Sequence, residues 1–162
     1  MKQPGPPRVL ASACLAGRPC RFDGSSNLDG WVARLVAEGR AVLVCPEVEG
    51  GLGTPRARAE IVGGDGKDVL DGRARVVTFE GRDVTDAYVA GARRALEAAR
   101  RAGATVAVLK ARSPSCGRGA IYDGTFSRSL QDGDGVAAAL LERNGIRVVN
   151  EEELESADVG LE

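Results

Sequence analysis

The chain carries four cysteines, Cys14, Cys20, Cys45 and Cys116, and no histidine among its 162 residues. Without histidine there is no ordinary general base and no imidazole metal ligand, and every Cys–His or Ser–His pairing is excluded. Acid–base work must fall to Asp, Glu, Lys, Tyr, Ser or Cys, and a transition-metal site must rest on thiolates or carboxylates. A free cysteine is ordinarily a small buried hydrophobe, so position decides what these four can do. Cys14 follows the apolar run RVLASA, Cys45 follows AVLV, and Cys116 sits in KARSPSCGRG just after TVAVL. Gly and Pro around each let backbone amides come close to a ligand. There is no CxxC pair of the kind structural zinc favours. Thiolate-only ligation marks iron–sulfur clusters and soft metals. Three thiolates on a four-iron cubane would leave one iron open as a Lewis acid, and Cys20 could supply a fourth ligand and close it. Reactive or merely buried thiols are the alternative reading of the same residues.

The elements that must position these residues alternate along the chain. RVLASA begins a strand at residue 8. The segment 25–40 has Trp31, Leu35 and Val36 near helical spacing, with Gly39 as a stop. AVLV is a second strand, and ARVVTFEG (74–81) a peripheral or antiparallel one. In 83–103 the residues Val84, Tyr88, Gly91, Ala92, Ala95 and Ala99 form one helical stripe, with Asp83 as the expected N-cap and Gly103 as the stop. TVAVLK (105–110), a helix over 133–145 and IRVVN (146–150) complete the series. Continuous apolar strands alternating with helices predict an α/β, Rossmann-like domain with a mostly parallel sheet flanked by helices. In such sheets ligands bind outside the C-terminal strand ends. Cys14, Cys45 and Cys116 would all stand on that edge. Residues 49–71 are rich in Gly and Arg with little periodicity, which predicts a functional loop.

Bulk properties narrow the class. The length fits a single domain over 8–155, with a flexible Pro-rich tail at 1–7 and a second tail at 156–162. The net charge is −1, so nucleic acid held by bulk electrostatics is not expected. No apolar run approaches the roughly 20 residues that span a bilayer, and MKQPGPPRVL lacks a signal-peptide core. The expectation is a cytoplasmic protein whose thiols stay reduced.

SACLAGRPCRFDG, CPEVEGGLGTPRARAEI, KARSPSCGRGAIYDGTFS and GDGVAAALLERNGIRVVNEEE stand in the order and wording of the TudS-like thiouracil desulfidases, long catalogued as a domain of unknown function. The resemblance runs from about Leu10 to Glu153. It implies an oxygen-sensitive [4Fe-4S] cluster held by Cys14, Cys45 and Cys116, with the fourth iron free for the substrate sulfur. It implies Glu47, of the CPE motif, and Ser113, of the SPSC motif, as catalytic side chains. The implied activity is hydrolytic removal of sulfur from thiolated uracil or a related small thio-pyrimidine. Cys20 is left outside the ligand set because it lies in the loop beyond the first strand. Ala16 stands where Leu is expected, and Arg58 where Pro is expected.

Two other functions fit parts of the pattern. One is a non-catalytic iron–sulfur or redox-sensing module that meets a partner through 49–71. The other is a metal-free enzyme with Cys116 as nucleophile, which the missing histidine weakens. Asp23 and Asp123 each precede Gly and read first as turn residues. Lys110 reads as a solvated strand end, and Arg56, Arg58, Arg73 and Arg75 as surface charges.

Overall fold

The computed structural model describes residues 8–154; the two expected tails, 1–7 and 156–162, lie outside the described residues. In chain order the elements are β1 (Val9–Ser12), a 3-10 turn (Ala13–Ala16), α1 (Gly30–Ala37), β2 (Ala41–Val44), α2 (Pro46–Glu49), β3 (Ala59–Val62), α3 (Gly66–Leu70), β4 (Arg75–Thr78), α4 (Thr85–Ala102), β5 (Val106–Leu109), β6 (Ala120–Tyr122), β7 (Leu130–Asp132), α5 (Val136–Arg143) and β8 (Arg147–Asn150).

The apolar runs become a parallel sheet in the order β2-β1-β5-β8. Its strands are apolar on both faces, as a sheet covered on both sides requires. Successive residues go to opposite cores. Leu10, Ala107, Leu109 and Val148 pack with Ala95, Ala99, Ala138 and Leu141 of α4 and α5. Ala11, Val108 and Val149 pack with Val32 of α1 and with Leu15. The chain leaves β1 for β2 on one side and later places β5 on the other, so strand order reverses around β1. That reversal opens a crevice at the C-terminal strand ends.

Four expectations need correction. Residues 49–71 are not one loop: they hold the end of α2, strand β3 and helix α3, and β3 pairs antiparallel with β4. The longest stretch of them without regular structure is residues 50–58. The buried face of α1 is Val32 and Leu35, while Trp31 and Val36 are exposed. The helix starts later than expected because Asp29 caps it, accepting from the Trp31 and Val32 amides. Finally, α4 begins at Thr85 and Asp83 lies one residue outside its cap position, where its carboxylate accepts from the Thr85 amide. The α4 stripe is as expected: Val84, Tyr88, Gly91, Ala92, Ala95 and Ala99 are all buried.

Candidate active site

Each main strand hands the chain to a turn that presents a thiol. After β1 the 3-10 turn holds Cys14, and Gly17 ends it in the left-handed conformation, at φ 93°. The carbonyl of Cys14 accepts from the Gly17 and Asn27 amides, which folds the 17–29 loop back over the strand end. After β2, Cys45 is the residue before α2, with Pro46 opening that helix and Glu47 next. After β5, Arg112 takes a left-handed backbone, φ 66°, to start the Ser113–Gly117 turn. Strain of that kind in a non-glycine residue persists only where the surroundings impose it.

These turns enclose a cavity of about 360 Å³ lined by Cys14, Cys20, Cys45, Cys116, Glu47 and Ser113. All four thiols therefore face one space, although they are spread over a hundred residues of chain. Cys20, set apart in the sequence reading, lines the same cavity, and the neighbouring Cys14 thiol pushes its own thiol up. The Cys45 thiol donates to the Cys20 carbonyl at 3.7 Å. Cys20 acting as acceptor, together with burial, pushes the Cys45 thiol far up, against the pull of the Val48 amide. Burial pushes the Cys116 thiol up to about 12, against the Ser12 hydroxyl beside it. Neither environment favours a free nucleophilic thiolate at neutral pH. A cationic ligand is what draws such protons off.

The residues present fit an iron–sulfur cluster. The donor set is sulfur only. Among the described residues no three His, Cys, Asp or Glu side chains close around a single metal ion; the four cysteines line the cavity. Asn27, whose amide is tied to Cys14, accepts from Arg21 through Oδ1, and its Nδ2 is a buried donor without a partner. A buried amide donor beside thiols suits inorganic sulfide.

Glu47 and Ser113 meet inside the same cavity. Ser113 Oγ accepts from the Ser115 and Cys116 amides at 3.1 and 3.0 Å. With those acceptor sites used, its hydroxyl proton points to Glu47 Oε1, 3.5 Å away. The other carboxylate oxygen, Oε2, is held by Arg56 through Nε and Nη2. Both partners are nearly enclosed, with side chains 9% and 14% exposed. The reading of Arg56 as a surface charge is thus overturned. Nothing in the spacing could have paired it with a glutamate nine residues earlier, because a loop without periodicity separates them.

The remaining candidates sort themselves plainly. Asp23 and Asp123 accept from Ser25 and Thr125 in local turns, as their Asp-Gly context predicts. Lys110 is not a solvated end but pairs with Glu151 at 3.5 Å, and Glu151 also takes the Ala111 amide. Arg58 is half-buried over the Phe126 ring at the cavity wall. Arg73 and Arg75 are exposed and pair with surface aspartates.

Comparison with known proteins adds an independent observation. A family model described as 2-thiouracil desulfurase matches residues 9–153. The uncharacterized protein YbbK of Bacillus subtilis (strain 168) is 49% identical over 146 residues, 90% of this chain and 97% of that one. The solved structure of the [4Fe-4S]-dependent thiouracil desulfidase TudS is similar with a TM-score of 0.84 and 43% identity, over 96% of this chain and 97% of that chain.

Proposed function

This chain belongs to the 2-thiouracil desulfurase family, and from that premise we propose that it is a [4Fe-4S]-dependent desulfidase acting on thiolated uracil or a close thio-pyrimidine. Cys14, Cys45 and Cys116 would hold the cluster, each from the turn that ends a strand of the parallel sheet. When bound, a cluster with three thiolate ligands offers an open iron as a Lewis acid for a soft thiocarbonyl sulfur. The convergence of these thiols with Glu47 and Ser113 on one cavity carries the reading.

The chain's own residues supply the hydrolytic half of the reaction. Glu47 Oε1 faces the cavity and is the base that takes a proton from water as the water oxygen bonds to the thiocarbonyl carbon. Ser113 Oγ–H is the neighbouring donor for charge developing on the ring or on the leaving group. The carbon–sulfur bond breaks, sulfide leaves as hydrogen sulfide with the two protons of water, and no net electron transfer occurs. The apolar walls from Val44, Ala59 and Tyr88 strengthen these charge interactions by excluding water. The net charge of −1 favours a small substrate over a thiolated RNA.

Sulfide release from 2-thiouracil and 4-thiouracil by anaerobically reconstituted protein tests the reading. Wild type should release sulfide and form uracil in equal amounts. Glu47→Gln should keep the cluster absorbance and lose most turnover. Full activity in that variant would remove Glu47 from the chemistry, and an inactive, iron-loaded wild type would favour a sensing module instead.

A further inference from the structure

The Arg56 guanidinium has five N–H donors, and five hydrogen bonds account for them. Nε and Nη2 go to Glu47 Oε2; Nη1 goes to the Gly53 carbonyl at 3.2 Å and to Thr54 Oγ1 at 3.1 Å; Nη2 also goes to the Cys20 carbonyl at 2.9 Å. A cation saturated in this way has no donor left for a substrate, although it lines the cavity. Its bonds instead join three segments: α2 through Glu47, the 50–58 loop, and the loop that carries Cys20.

We infer that Arg56 is the positioning residue of the site: it locks Glu47 through Oε2 so that Oε1 alone faces the reacting atoms, and it latches the Cys20 loop over the cavity. This rests on the role proposed above for Glu47. The latch follows from a second contact. The Cys20 carbonyl accepts from both Arg56 and the Cys45 thiol. Of the two, the Arg56 bond is the charge-assisted one, at 2.9 Å. A lysine keeps the charge but, as a compact point donor, does not reproduce a planar fork that grips a carboxylate and a carbonyl together.

Arg56→Ala and Arg56→Lys, each reconstituted with iron and sulfide, test the inference against thiouracil. A misplaced base costs about 100-fold in rate, so kcat should fall by about that factor in both variants while KM stays within about threefold of wild type. Millimolar guanidinium chloride should restore Arg56→Ala at least tenfold, whereas equal sodium chloride should not; a folding defect is not repaired by guanidinium. In cluster-free protein, iodoacetamide should alkylate Cys20 faster in Arg56→Ala than in wild type, read peptide by peptide. A raised KM with unchanged kcat would make Arg56 a substrate-binding cation and overturn the inference. So would unchanged turnover, or unchanged Cys20 alkylation. A wild type that releases no sulfide would instead remove the desulfidase reading, and the alkylation arm would still decide the latch.

Discussion

Ser113 is placed to serve structure and chemistry together. Its oxygen caps the turn that carries Cys116 by accepting from two amides, and its proton is thereby left for Glu47. Ser113→Ala should lower stability by about 1 kcal/mol, as loss of a capping oxygen does, and should lower kcat by about 10² or more if the donated hydrogen bond acts in the transition state. Urea unfolding and sulfide-release kinetics measure the two effects separately. A stability loss with unchanged kcat would reduce Ser113 to a cap. The sequence made the Cys14, Cys45, Cys116, Glu47 and Ser113 group visible because each stands at a strand end or in a family motif. The place of Arg56 and of Cys20 in the cavity was not visible, because both depend on how the 17–29 and 50–58 loops fold against each other.

At the scale of elements, α2 is placed by two glycines. A Cβ on Gly91 of α4 would stand 1.8 Å from the Pro46 carbonyl oxygen, and one on Gly50 would stand 2.0 Å from the Ala87 oxygen. Backbone packs on backbone there, and α2 carries Glu47 beside Cys45. Gly91→Ala should therefore destabilise by about 1–3 kcal/mol, the usual cost of overpacking, and should impair iron uptake by moving Cys45. Normal iron content at a normal melting temperature would show that α2 is not held by this contact. The stripe that named Gly91 as core was legible from helical period; its use as a docking notch for a four-residue helix was not, since so short a helix has no period of its own. The SPSC and GDG motifs are likewise joined by contact: the Val136, Ala137 and Ala138 amides opening α5 donate to the carbonyls of Pro114 and Ser115. Elsewhere, Arg143 grips Asp71 by two 2.9 Å bonds, tying α5 to the end of α3. That guanidinium holds the Asp71 carboxyl below its ordinary value. A depressed carboxylate contributes stability above its unfolded pKa and loses it as pH falls through the folded one. Asp71→Asn should accordingly flatten the acid limb of the stability profile, and an unaltered limb would show the pair to be energetically idle.

Over the whole molecule, the parallel sheet and its helices were legible because buried strands read as apolar runs and α4 as a periodic stripe. Strand β4 was legible as a peripheral or antiparallel run and does pair antiparallel; β3 and the β6–β7 pair escaped because Glu60 interrupts β3 and β7 reads Leu-Gln-Asp, so neither offers a continuous apolar run. The sheet's two cores are built from apolar side chains of β1, β5, β8 and the helices, so the cluster-free protein should be folded. Three ligands drawn from segments after β1, β2 and β5 would then cross-link distant parts of the chain. Iron loading should raise the melting temperature by several degrees, since a group bound only by the native state stabilises it. Equal melting of loaded and cluster-free protein would place the iron outside this cavity. The central claim is that three thiols hold the cluster and the fourth does not. Its most direct measurement is the visible absorbance and iron and sulfide content of anaerobically reconstituted wild type beside Cys14→Ala, Cys45→Ala, Cys116→Ala and Cys20→Ala. The charge-transfer band should survive in wild type and in Cys20→Ala alone. Loss of the band in Cys20→Ala as well would make the cluster four-ligand and closed, and a wild type that takes up no iron would contradict the account altogether.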